Sequence, residues 1–97
     1  MAHATAVVFK RNNAYAMPKN PKENIVIVFD IPEKRQQERA LFRFELRALA
    51  FVPLQKSVWI GNGPLPTDFI TYMKDHNLLS CVHIFSINKK GTMLATT

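Results

Sequence analysis

Apolar residues recur along this chain at more than one spacing, and each spacing predicts a different element. Ile25-Val26-Ile27-Val28-Phe29 is an unbroken, mostly β-branched run. It is too short for a helix and carries no polar alternate, so it predicts a central strand buried on both faces and ending at Asp30. Pro32 stops that strand and presets a helical first turn, with Glu33 placed where a carboxylate favours the positive helix end. From Glu33 to Ala50 there is no Gly or Pro, and Leu41, Phe42, Phe44, Leu46, Ala48 and Leu49 cover a broad arc at helical spacing. Arg35, Arg39, Arg43 and Arg47 recur every four residues and form one ridge on the other side of that helix. Such a ridge is either a solvated face or an edge that touches phosphates.

Phe51 to Ile60 is rich in strand formers and is either one bent strand or two short strands reversing near Gln55-Lys56. Gly61-Asn62-Gly63-Pro64 closes it as a loop. Pro66-Thr67-Asp68 opens a second, short helix capped by Thr67, with Phe69, Tyr72 and Met73 on its apolar face and an end near Asn77. From Ser80 to Ile87 the pattern alternates, with Cys81, His83, Phe85 and Ile87 on one side and Val82, Ile84 and Ser86 on the other, which is a core strand. Asn88 to Gly91 is a turn, and Thr92 to Thr97 is able to add as an edge strand. Ahead of all this, Ala6-Val7-Val8-Phe9 and the Pro18-Lys19-Asn20-Pro21 segment make an extended arm rather than a core element. The order β, α, β(β), α, β predicts an α+β fold of the ferredoxin-like βαββαβ plan, an antiparallel sheet with two helices on one face and a C-terminal edge strand. The chain divides into a basic N-terminal extension (1–22), a folded domain (23–88) and a C-terminal tail (89–97).

Composition narrows the chemistry. Ninety-seven residues, of which 47% are hydrophobic, suffice for one domain with a modest core. Lys and Arg number 13 against 7 Asp and Glu, for a net charge of +6. Residues 1–22 contribute +4, residues 23–32 contribute −2, and residues 33–48 and 49–97 contribute +2 each. Positive charge spread in this way suits a polyanion lying across a surface better than a compact anion in a pocket. No apolar run approaches the length needed to cross a bilayer and no basic segment precedes the first apolar patch, so a cytoplasmic address is expected. The lone Cys81, expected as a buried thiol, cannot form an intrachain disulfide or a thiolate zinc site, and His3, His76 and His83 lack ligand spacing. Ser57, Ser80 and Ser86 lie within expected strands rather than at a Gly-flanked elbow, and Gly61, Gly63 and Gly91 do not form a phosphate loop. Trp59, in an apolar strand, is better suited to a core than to stacking on a base. Asp30 stands at a strand end just before a helix, where ligands converge in α/β layers, or else serves as a turn or capping carboxylate. A magnesium ion needs one or two carboxylates plus water and phosphate, so Asp30 suffices only if a symmetric partner supplies a second copy.

Asp30-Ile31-Pro32 after the strand, and Gln55-x-Ser57-Val58-Trp59 after the charged helix, together resemble the small CRISPR-associated endonuclease family. They are also similar to the central domain of the phenylacetic-acid-degradation transcriptional repressors, and Trp59 leans toward that branch, whereas a chain without room for a helix-turn-helix fits the CRISPR subunit. The resemblance spans about residues 24–87. It implies a homodimer with the two Asp30 carboxylates facing across a two-fold axis, possible magnesium-dependent phosphodiester hydrolysis at Asp30, and a C-terminal segment paired with a neighbouring chain. It further implies double-stranded DNA bound along a basic surface, with an integrase subunit as partner during spacer acquisition. Lys10, Arg11, Lys34, Arg35, Arg39, Lys89 and Lys90 are the expected phosphate contacts. The alternatives are a repressor-like DNA-binding regulator or a toxin-like interaction module of the same fold.

Overall fold

The computed structural model describes Tyr15, Pro21, residues 23–88 and residues 93–95. Within them, β1 (Glu23–Phe29), α1 (Gln36–Ala48), β2 (Val52–Gln55), β3 (Val58–Gly63), α2 (Thr67–Asp75), β4 (Val82–Asn88) and β5 (Met93–Ala95) follow one another, with short 3₁₀ turns at Glu33–Arg35 and Leu79–Cys81. The strands form one antiparallel sheet in the order β2-β3-β1-β4-β5. The first four strands have the ferredoxin-like arrangement expected of the element order, and β5 extends the sheet beyond β4. β1 holds the centre, with Val26 opposite Ile60 on one side and Phe85 on the other.

The apolar run of β1 is buried on one face only. Ile25, Ile27 and Phe29 are buried, whereas Val26 and Val28 between them are only half-buried. The expectation of a strand buried on both faces is thus corrected, because both helices lie on the same side of the sheet. Ile25, Ile27, Phe29 and Trp59 join Phe42 and Leu46 of α1 and Phe69 and Met73 of α2 in one core. Phe42 is the hinge of that core, its ring 4.8 Å from Phe29 and 5.8 Å from Phe69. By register, Val26, Val28, Val58, Ile60, Phe85 and Ile87 share the opposite face, where neither helix covers them.

Both helices end in the same device. Ala50 N–H donates to the Arg47 carbonyl and Phe51 N–H to the Leu46 carbonyl, while Asn77 N–H donates to Lys74 and Leu78 N–H to Met73. These are Schellman closures with Ala50 (φ 62°) and Asn77 (φ 55°) in the left-handed region. In each, the apolar residue that follows packs with the helix: Phe51 with Leu46, and Leu78 with Met73, all four buried.

Several local expectations are corrected. Gly61 and Gly63 lie within β3 rather than a loop, and a Cβ at Gly61 would sit 2.2 Å from the Phe51 ring, so glycine there serves close packing. Pro66, not Thr67, precedes α2, and no side chain caps it. Ser57 falls in the β2–β3 turn and Ser80 and Cys81 in the 3₁₀ turn before β4, and Cys81 is half-buried rather than buried. β5, by contrast, is the expected C-terminal edge strand, pairing with β4 with Ala95 opposite Phe85. The arm is not wholly outside the core, since Tyr15 is buried in it. Lys10, Arg11, Lys89, Lys90 and the Ala6–Phe9 run lie outside the described residues.

An alanine in the left-handed region carries a Cβ clash that glycine lacks. Ala50→Gly is therefore expected to raise stability by about 0.5–1 kcal/mol in urea unfolding, despite the greater freedom glycine gives the unfolded chain.

Candidate nucleic-acid interface

Asp30 is placed by backbone bonds on both sides of β1. Its N–H donates to the Cys81 carbonyl at 2.8 Å, and the Phe29 N–H donates to the Ser57 carbonyl at 3.0 Å. The carboxylate is exposed, while Ile31 turns into the core and Pro32 heads the 3₁₀ turn, which has no side-chain cap. Among the described residues no three His, Cys, Asp or Glu side chains gather where they would hold a metal. One chain thus offers magnesium a single strand-end carboxylate, too small a donor set to hold the ion without a second copy.

The arginine ridge, which starts at Arg35 in the 3₁₀ turn and continues along α1, divides by what each side chain meets. Arg35 is tied down: its guanidinium donates to the His76 carbonyl at 2.7 Å and lies 3.8 Å from Glu38, which also meets His76 Nδ1 at 3.0 Å. That cluster joins the start of the first helical layer to the end of α2. Arg39, one turn on, is half-buried, and its Nε has no hydrogen-bond partner among the described residues. Arg43 and Arg47 lie over rings of the inner strands, with guanidinium carbons 5.8 Å from the centre of the Phe29 ring and 5.2 Å from that of Trp59. Neither is in an ion pair with a described carboxylate. Lys34 is exposed on the 3₁₀ turn that leads into the ridge.

Beside the second half of the ridge runs a groove of about 400 Å³, lined by Arg43 and Arg47 of α1, Trp59 of β3 and the β2–β3 hairpin residues Pro53, Leu54, Gln55 and Lys56. The hairpin is pinned to the core by Trp59, whose Nε1–H donates to the Lys56 carbonyl at 3.0 Å. Trp59 is 1% exposed, which fits the core reading rather than base stacking. Of the expected phosphate contacts only Lys34, Arg35 and Arg39 lie among the described residues, and none of the three lines this groove. In the sequence Arg43 and Arg47 are only members of the ridge and Lys56 only a residue of the Gln55-Lys56 reversal. Their convergence depends on the hairpin folding back toward α1, a long-range contact with no local sequence signal.

A second polar cluster sits between the helices. Tyr15 donates to the buried carboxylate of Glu45 and packs edge-on against Phe69 at 6.0 Å. Tyr72, with its ring 4.7 Å from that of His76, has a buried hydroxyl lacking a partner among the described residues. Burial pushes its phenol above the ordinary tyrosine range, and the negative charges of Glu38 and Glu45 and the neighbouring Tyr15 add to the effect, against a smaller opposing pull from Arg35.

A family model described as the PaaX protein central Cas2-like domain matches residues 23–96. The chain belongs to that family. The match opens on the first residue of β1 and runs past β5, so Tyr15 reaches the PaaX-type Cas2-like core from outside the matched segment. No curated protein and no solved structure matches the chain. Within this Cas2-like domain, no helix of the described residues is long and apolar enough to cross a membrane.

Tyr72 gives a two-part test. Because its folded-state pKa is raised, the stability it contributes is complete below the ordinary tyrosine pKa of about 10 and is lost as pH rises beyond that value. Tyr72→Phe removes both an unpartnered hydroxyl and this titration. The variant is expected to be as stable as the parent or up to about 1 kcal/mol more stable at pH 7, and its urea midpoint is expected to fall less steeply above pH 10.

Proposed function

We propose that this chain is a dimeric duplex-DNA-binding module that grips phosphates and reads no bases. The observation that carries the proposal is a set of uncompensated cations running from the 3₁₀ turn along α1 to the β2–β3 hairpin: Lys34, Arg39, Arg43, Arg47 and Lys56 are in no ion pair with a described carboxylate, whereas Arg35 is. A cation row without internal partners is matched by a polyanion, which gains affinity by counterion release. The open sheet face supports the dimer. Six apolar side chains on the face away from the helices are suited to pairing with a second copy, and a dimer carries twice the +6 of one chain.

Membership of a family named for the PaaX protein favours the regulator setting of such a module, in line with Trp59 in the Gln55-x-Ser57-Val58-Trp59 segment. The adaptor setting, in which the dimer holds DNA between integrase subunits during spacer acquisition, uses the same fold and surface. Co-purification with an integrase encoded beside it supports the adaptor, and a catabolic operon around its gene supports the regulator. A magnesium-dependent nuclease is a further reading that rests on Asp30, exposed at the end of β1, and requires its twin from the second copy.

Anisotropy titrations of unrelated duplexes over a salt series test the binding proposal. Affinities are expected to agree within about threefold between sequences and to fall steeply with salt, with a log–log slope of magnitude several. A strongly sequence-selective or salt-insensitive interaction overturns it. Asp30→Asn is expected to leave duplex affinity within about twofold, and any cleavage activity that persists in it is not due to Asp30.

A further inference from the structure

Resting on that duplex-binding reading, we infer that the groove between α1 and the β2–β3 hairpin seats a phosphodiester of the bound strand, with Arg43 and Arg47 as its paired donors and Lys56 opposite them. The two arginines are one helical turn apart on the same wall, so they face the groove together. Each guanidinium carbon lies over an aromatic ring, 5.8 Å from the centre of Phe29 for Arg43 and 5.2 Å from that of Trp59 for Arg47. A cation held over a ring face uses no hydrogen-bond donor for that contact, so the guanidinium N–H groups stay free to grip an oxyanion, which arginine can do bidentately. The ring contact also limits the side-chain freedom lost on binding, so these cations are better preorganised than a lysine on an open helix.

Lys56 is positioned by the same tryptophan, through the hydrogen bond from Trp59 to its carbonyl. Three positive groups thus surround one space, and no carboxylate is among the described residues that line it. The rest of the hairpin wall is Gln55 with Pro53 and Leu54, the last 61% exposed, and these two form an apolar shelf suited to the sugar that follows a phosphate. A volume of about 400 Å³ suits one nucleotide unit rather than a folded partner. Because the Trp59 ring is covered and its N–H is engaged, the groove offers no stacking platform or base-edge donor from that residue, and recognition falls on the backbone. Another groove of similar size, at Lys74, Asn77, Leu79 and Ser80, has Lys74 alone as a cation among its described lining residues and none of this arrangement.

Trp59 is the chain's single tryptophan and lies under Arg47, so its emission reports directly on the groove. The full chain is titrated with a mixed-sequence DNA duplex, and in a parallel arm with the RNA duplex of the same sequence, following Trp59 emission and the anisotropy of the labelled duplex together. Emission is expected to change in step with anisotropy. Arg43→Gln and Arg47→Gln are each expected to weaken binding about tenfold and to lower the salt slope by about one, while Arg47→Lys retains part of the affinity. Lys56→Gln, on the exposed hairpin turn and clear of the core, is expected to weaken binding about threefold and keeps the test decisive if an arginine variant loses its fold. Wild-type affinity and slope in Lys56→Gln and in the folded arginine variants, with Trp59 emission unmoved by saturating duplex, overturn the groove and leave duplex binding in place elsewhere. A wild-type chain that binds no duplex overturns both readings, and groove-dependent binding of RNA alone keeps the phosphodiester seat but overturns the DNA assignment.

Discussion

A central strand that is apolar on both faces, in a fold with helices on only one, is the constraint around which this molecule is organised. Ile25, Ile27 and Phe29 bury themselves against α1 and α2, and Val26 and Val28 are left at the centre of an apolar sheet face. β1 pairs on both edges, so neither face can be relieved by a shift of one strand: a one-residue slip would exchange the two sets of side chains. The helix-covered face fixes the register and the core. The proposed second copy follows from the other face, since a run with no polar alternate is poorly suited to stay in water.

The same core determines what the cations do. Phe29 and Trp59, both buried, present the ring faces on which Arg43 and Arg47 lie, and Trp59 also pins the hairpin that brings Lys56 toward them. Positive charge that would be diffuse on an open helix is gathered into a groove by aromatic packing. At the other end of the ridge, Arg35 is spent on Glu38 and the His76 carbonyl, which ties the two helices together. Four arginines at identical spacing thus have different physical roles, decided by what the tertiary fold places beside each one.

That division shows how far the sequence is legible. The strand positions, both helices, the β2–β3 reversal and the antiparallel plan follow from local periodicity, because each is set by the side-chain period of its own segment. Gly61 reads locally as a loop residue, but the reason it is glycine, the Phe51 ring, lies ten residues away. Ala50 closes a helix in a conformation usually given to glycine, so no local marker announced it. Tyr15 sits in a Pro- and Asn-flanked arm, and its burial depends on Glu45 and Phe69, two residues on different helices. At the candidate site, the arginine ridge was visible as a period of four, but not which of its members meet a carboxylate and which meet a ring. Asp30 follows the last residue of β1, as the strand pattern predicts, and no side chain caps the 3₁₀ turn after it.

The central claim is that the uncovered sheet face joins two copies into the unit that binds DNA. Light scattering on the purified full chain at micromolar concentration tests it most directly. The account predicts a particle of twice the 11.1 kDa chain mass, reverting to a single chain when Phe85 on the open face is replaced by Glu. A wild-type particle of 11.1 kDa across that concentration range would contradict it.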